Sequence, residues 1–223
     1  MAVGPEAKPS PPLRADARRN RDAILTAARQ VFAEQGLQAS LDEIASRAGV
    51  GNATLYRRFP DRCRLVAAVF AVQMAEYAEA AAAALEDQDS WSGFAGFVTY
   101  LCRLQAQDQG ISELLTTSLF DTDDELARHR RAVLEHLDQL LALARSDGAL
   151  RPDFTHQDLV LLLMGNAGVV RRTRGHAPSA WERHLAFVLA GIRAPDEGPA
   201  RPAPPAPSVA QVEAAMRSGG SPC

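Results

Sequence analysis

Within the seven residues Asn52 to Arg58 lie an asparagine, a threonine, a tyrosine and two arginines, and Arg18, Arg19, Arg21 and Arg62 flank them in the chain. These are the groups that recognise nucleic acid. An arginine fork can bridge guanine O6 and N7, an asparagine amide can pair with an adenine edge, and a threonine methyl can meet a thymine. Asn52, Thr54 and Arg57 are therefore candidate base contacts. Tyr56, Arg58, Arg62, Arg18, Arg19 and Arg21 are candidate phosphate contacts, which fix register without reading sequence. The plainer alternative for Tyr56 is a core aromatic with a solvated hydroxyl.

The elements that must hold these side chains can be read from Ser40 to Phe59, SLDEIASRAGVGNATLYRRF. Ser40 followed three residues later by Glu43 has capping-box spacing and predicts a helix start. Ile44, Ala45 and Ala48 share one apolar face, and Gly49 supplies the positive φ that a sharp exit requires. Val50 would plug the turn. Gly51 or Asn52 would open a second helix over Ala53 to Phe59, anchored by Leu55 and Phe59 one turn apart. That arrangement turns Asn52, Thr54, Tyr56, Arg57 and Arg58 outward.

Charge is distributed to match. Arg14 to Arg64 contains ten arginines against six acidic residues, a balance of +4, whereas Leu65 to Cys223 carries thirteen basic and twenty acidic residues, a balance of −7. Such asymmetry fits one end meeting a polyanion, and an ordinary solvated surface is the alternative. With 223 residues, 47% of them apolar, the chain can build one large or two modest domains with a real core. Apolar runs such as Leu159 to Gly165 are too short to span a bilayer, and no basic-then-apolar segment opens the chain, so a cytoplasmic location without membrane attachment is expected. Cys63, Cys102 and Cys223 form no CxxC pair, so reduced, unligated thiols are expected.

Chemistry of catalysis leaves little trace. The sequence has no HExxH, P-loop, GxGxxG or GxSxG, so neither an enzyme nor a cofactor is indicated. Among His129, His136, His156, His176 and His184, the nearest thing to a ligand pair is Glu125 with His129, and no metal site is expected.

Taken in order, Met1 to Leu13 is proline-rich and expected to be disordered. Asp16 to Gln35 carries Ile24, Leu25, Ala28, Val31 and Phe32 at helical spacing, with Gly36 as C-cap. Cations at its start oppose the helix dipole, which leaves phosphate contact as the better explanation of Arg18, Arg19 and Arg21. Asp61 should cap a long helix from Arg62 to about Glu86. Further helical patterns cover Trp91 to Asp108, Ile111 to Phe120, Glu125 to Ser146, Gln157 to Thr173 and Ala180 to Arg193, and no strand or repeat is evident. From Ala194 a Pro/Ala-rich low-complexity tail is expected, with one or two fragile helical turns over Val209 to Met216.

The run LDEIASRAGVGNATLYRRFPDRCRL resembles the N-terminal DNA-binding domain of the TetR family of bacterial transcriptional regulators, and the resemblance covers roughly Arg18 to Phe70. It implies a homodimer whose two heads meet double-stranded operator half-sites, while the C-terminal domain dimerises and binds a small-molecule effector. It also places Thr54, Tyr56 and the adjacent arginines on the recognition helix, and Arg62 where the family usually has a phosphate-binding lysine. Departures are Gly51, where Ser or Thr is commoner, and Arg58, where an aromatic residue or His is frequent.

The expected fold is all-α. Residues 1–15 form a lead-in, 16–62 a three-helix helix-turn-helix DNA-binding domain, 63–193 a helical-bundle effector-binding and dimerisation domain, and 194–223 a disordered tail. Leu159 to Val170 is apolar nearly all round, so it needs cover on more faces than a surface helix would. Gly165 and Gly168, with Trp181, Leu185, Val188, Leu189 and Ile192 on one stripe of the final helix, are the candidate dimer interface, a monomeric core being the alternative. Met74, Tyr77, Phe94, Phe97, Tyr100, Leu101, Leu115, Leu119, Phe120 and Met164 are the candidate effector-cavity residues, each of which could equally be plain core. The functional expectation is a sequence-specific DNA-binding repressor released by a small-molecule effector, with a DNA-binding regulator or architectural protein lacking an effector as the alternative.

Overall fold

The computed structural model describes residues 11–117, 125–195, 198 and 202–218, with side chains from residue 15 onward. Among these residues there are ten helices and no strands: α1 (Pro11–Gln35), α2 (Leu41–Arg47), α3 (Asn52–Arg58), α4 (Arg62–Leu85), α5 (Ser90–Gln107), α6 (Gln109–Thr116), α7 (Glu125–Ser146), α8 (His156–Thr173), α9 (Ala180–Ile192) and α10 (Val209–Ser218). Helix α1 starts earlier than the proline-rich composition implied, so residues 11–13 are helical rather than lead-in.

A head of three helices forms because α1 and α2 each present one apolar stripe. Ile24, Ala28, Val31 and Phe32 of α1 meet Ile44 and Ala45 of α2 and Leu55 of α3, all buried, and Phe59 closes the end of α3. Gly49 turns the chain between α2 and α3 at φ +68°, a left-handed conformation that side chains with a Cβ resist. Ser40 caps α2 by accepting the Asp42 N–H at 3.2 Å. Its capping-box partner is diverted: Glu43 accepts from Gln35 Nε2 at 2.9 Å and pairs with Arg47 at 2.8 Å.

Asp61 accepts the Arg64 N–H at 2.8 Å and starts α4, the rod that leaves the head and enters the bundle. By length and composition α4 could cross a membrane. Its apolar residues instead meet protein on several sides, since α1, α5 and α7 pack against it. Aromatic rings fill the layer behind it, with Tyr77 edge-on to Tyr100 at 6.0 Å and Phe94 edge-on to Phe154 at 6.2 Å.

Helices α5 and α8 are keyed by two fully buried amides. Asn166 Nδ2 donates to Gln105 Oε1 at 2.8 Å, and Gln105 Nε2 donates to the Leu163 carbonyl at 3.1 Å. Asn166 Oδ1 has no partner among the described residues. Cys102 is a free, buried thiol whose pKa is pushed up to about 12 by burial, whereas Cys63 is disulfide-bonded, which corrects the expectation of reduced thiols throughout.

Beyond α9 the chain makes an antiparallel clip, with Arg151 N–H donating to Ile192 O at 3.0 Å and Ala194 N–H to Ala149 O at 2.9 Å. The tail then departs from expectation. Val209–Ser218 is a ten-residue helix, and its Val212 and Met216 are buried against the bundle beside α8. An isolated helix this short is marginal in water, so the burial of its apolar face accounts for it.

Candidate nucleic-acid interface and internal cavity

Leu55 and Phe59 point into the head, and that anchoring turns the other side of α3 outward. Arg57 and Arg58 are exposed, Thr54 is half-buried, and Tyr56 is 47% exposed, so it is no core aromatic. Asn52 is exposed but braced: its Nδ2 donates to Asp42 Oδ1 at 2.8 Å and ties the start of α3 to α2. Arg18 and Arg21 are exposed on α1, with the Arg21 guanidinium 5.7 Å from the Phe59 ring centre, while Arg19 is paired with Asp16.

Arg62 is placed differently from its exposed neighbours. Its Nη1 donates to the Leu37 carbonyl at 2.8 Å and the Ala39 carbonyl at 2.6 Å, bracing the turn between α1 and α2. Burial lowers its pKa below the ordinary arginine value, so this is a partly desolvated cation held by main-chain oxygens. Sequence spacing offers no sign of such a contact, because the partners lie 25 and 23 residues away.

A cavity of about 770 Å³ lies in the bundle between α7, α8, α10 and the inner faces of α4, α5 and α6. Of the candidate effector residues, Met74, Leu101 and Leu115 line it. Tyr77, Phe94, Phe97, Tyr100 and Met164 do not; the four aromatic residues stack among themselves and with Trp91 and Phe154 as core. Leu119 and Phe120 lie outside the described residues. Much of the wall comes from α7 and α8 through Val133, Leu134, Leu137, Leu159, Val160 and Leu163, with Arg130 and His156 among the polar groups. The α7 stripe at i, i+4 spacing was legible as apolar but indistinguishable from ordinary core.

Head and bundle meet at α6. Asp108 caps α6 by accepting the Ile111 N–H at 2.9 Å and forms an ion pair with Arg29 of α1. Glu113 accepts the Leu37 N–H at 2.7 Å. Gly110 lets the two helices touch: a Cβ there would stand 3.0 Å from the Phe32 carbonyl oxygen and from the Phe70 ring. One turn of α6 therefore grips the head while Leu114 and Leu115 on the same helix line the cavity.

The candidate interface residues divide. Trp181 and Leu185 are buried within the protomer, where α9 packs on α8, and Val188, Leu189 and Ile192 are half-buried against the same core. Gly165 is exposed and Gly168 half-buried, and the large apolar side chains on the open faces of these helices are Leu161, 43% exposed, and Phe187, 64% exposed. Glu125 and His129 stand 3.8 Å apart, and no cluster of three or more metal-ligating side chains occurs among the described residues.

A three-helix head with a glycine turn, an outward polar helix and a rod into a hollow helical bundle defines a helix-turn-helix DNA-binding transcription regulator. The chain belongs to the TetR family. The model of bacterial regulatory proteins of the tetR family matches residues 24–69, and that of the SbtR-like transcriptional regulator C-terminal domain matches residues 90–194. A TetR transcriptional regulator from Streptomyces coelicolor is 30% identical over 78% of this chain and 98% of its own, with a TM-score of 0.49. A TetR family regulator from Agrobacterium tumefaciens, 22% identical over 80% of this chain and 100% of its own, shares the fold with a TM-score of 0.57. So does the transcriptional regulator FadR from Bacillus subtilis, solved in complex with stearoyl-CoA, at 19% identity over 75% and 96% of the two chains and a TM-score of 0.55. No curated protein matches the chain.

Proposed function

We propose that this protein is a cytoplasmic homodimeric repressor that leaves its operator when a small apolar molecule enters the cavity. The observation that carries this reading is the double attachment between cavity and head. Helix α4 bears Arg62 at the α1–α2 turn and Met74 on the cavity wall, about 18 Å further along at ~1.5 Å per residue. Helix α6 bears Glu113 on Leu37 and Leu115 on the same wall.

A ligand that resets either helix must re-aim α3. Two heads have to match half-sites about 34–36 Å apart, or a multiple of that, so a small pivot spoils the fit to both grooves. The ligand and the operator then weaken one another by a common factor, typically ~5 to 150-fold. Arg57, Asn52 and Thr54 are the base readers in this scheme. Tyr56, Arg58, Arg18, Arg19 and Arg21 meet phosphate. Arg62 braces the turn, and any phosphate contact would fall to the part of its guanidinium beyond Nη1.

The dimer forms through the outer faces of α8 and α9. Leu161, Gly165 and Gly168 fall at i, i+4 and i+7, and their small residues admit the partner's helices beside Phe187. Trp181 and Leu185 support that face from within. The Bacillus subtilis regulator with stearoyl-CoA bound lends support to a cavity ligand, without indicating which one this chain takes. The test is selection of genomic fragments by the purified protein, followed by a screen for compounds that release them. Failure to select any sequence would remove the DNA-reading role, and selected fragments that no cavity ligand releases would leave a repressor without an effector.

A further inference from the structure

We infer that α10 is a removable wall of the ligand cavity, so that the bound molecule touches this chain's own C-terminal helix and enters or leaves as that helix lifts. The inference rests on the cavity being the effector site, and it adds a part that the matched family ranges, ending at residue 194, do not contain. Val212 and Met216, 6% and 7% exposed, line the same space as Met74 and Leu101. At the rim, Glu213 and Arg217 line it too and pair with each other at 3.7 Å.

The attachment of this wall is weak by comparison with the others. Helix α10 buries only two of its ten side chains, packs chiefly on α8, and among the described residues its one ion pair lies within itself, at the rim. The segment before it, Pro202 to Pro207, has no regular secondary structure and is exposed up to Ala206, and its four prolines make it a semi-rigid arm rather than a packed connection. Among the described residues that arm is held by Asp153, in the loop between α7 and α8, which accepts the Ala203 N–H at 3.1 Å while Arg151 grips the same carboxylate at 2.7 and 2.8 Å. A short amphipathic helix that buries two side chains and follows a stiff arm can swing outward without disturbing the core. The remaining walls belong to helices of 18 residues or more, apart from α6, which is held by the head.

The experiment follows binding and release of the fluorophore anilinonaphthalene sulfonate by stopped flow, using full-length chains with folding checked by circular dichroism. Val212→Asp combined with Met216→Asp lifts α10, and Leu134→Gln changes the opposite wall on α7. Dissociation of the probe from the double variant should be faster by at least about tenfold, since two buried apolar contacts are lost. Association should be no slower. Saturating probe should also retard tryptic cleavage at Arg217 in the unmodified chain. Unchanged rates in the double variant, with altered rates in Leu134→Gln, would overturn the inference and leave the cavity reading standing. Tighter binding by the double variant would make α10 a competitor for the cavity rather than its wall, which also overturns it. No probe binding, or rates that neither set of substitutions alters, would remove the cavity reading and this inference together.

Discussion

The carboxylate of Glu113, on the helix that lines the cavity, accepts the main-chain N–H of Leu37, on the turn that feeds the DNA-facing motif, across 2.7 Å. Two residues 76 positions apart thus join the cavity wall and the head without any intervening side chain. Glu113→Ala should leave that N–H without its acceptor and cost about 1–3 kcal/mol in denaturant unfolding. Glu113→Gln, which keeps an acceptor oxygen, should recover most of it. A ligand-induced loss of operator affinity that is as large in Glu113→Ala as in the parent would show that α4 alone carries the coupling.

Operator binding should fall with salt at roughly 0.9 log units per neutralised phosphate for each tenfold rise. Arg57→Ala should relax preference at particular positions, at about 1–3 kcal/mol for a lost bidentate contact, whereas Arg58→Ala should weaken all sequences alike. Binding-site selection with each variant separates the two, and identical sequence profiles for Arg57→Ala and the parent would remove the assignment.

Arg62→Ala should lower operator affinity through the head's shape rather than through one phosphate. It removes the donor to two carbonyls, so melting temperature and operator affinity should drop together. A fall in affinity with an unchanged melting profile would instead identify Arg62 as a direct phosphate contact.

Phe187→Glu replaces a largely exposed ring, so a monomer should tolerate it with little change in stability. In a dimer built on α8 and α9 the same change buries an unpaired carboxylate, costing several kcal/mol. Light scattering at micromolar concentration should show dissociation of the variant. A parent that is already monomeric would end the proposal.

Tyr77→Ala should act on stability rather than on ligand choice. Tyr77 is buried beside Tyr100, its hydroxyl pKa pushed well above the usual tyrosine value by that burial, and it stands off the cavity wall. Truncation should cost about 3–5 kcal/mol by leaving a void. A selective change in ligand affinity with unaltered stability would return Tyr77 to the cavity lining.

Asp153 supplies the acid-sensitive element. Its hydrogen bonds with Arg151 and the Ala203 N–H hold its carboxyl well below the usual carboxylate range. A depressed folded pKa adds stability that is complete above the unfolded value of about 3.9 and is lost as pH falls through the lower folded value. The thermal difference between the parent and Asp153→Asn should therefore be constant from neutral pH to about 5 and shrink in stronger acid. A difference that grows on acidification would contradict the sign.

Local signals made the head legible. Ser40, Gly49, Leu55, Phe59 and Asp61 act within a turn of their own positions, so spacing alone placed the cap, the turn, the anchors and the start of α4. The helices from α5 to α9 were readable for the same reason, with ends shifted by two residues or fewer except at the end of α6, which stops at Thr116 rather than Phe120. Side-chain destinations across the bundle were not. Whether Phe97 or Leu134 faces a void depends on which helices lie opposite, and periodicity carries no record of that. Arg62 donating to carbonyls of another turn, Glu43 turning to Arg47, and α10 held by its burial against the bundle are all settled by tertiary contact.

The buried amides of Gln105 and Asn166 separate two things that could otherwise vary together. A slip of α5 along α8 would strand both amides in an apolar layer, at several kcal/mol, whereas changes of size at Leu101 or Leu163 leave the pair intact. The bundle thus has a fixed key and adjustable tumblers. The shape of the cavity can be re-cut one wall residue at a time, while the rods that lead to the DNA-facing helices stay in register.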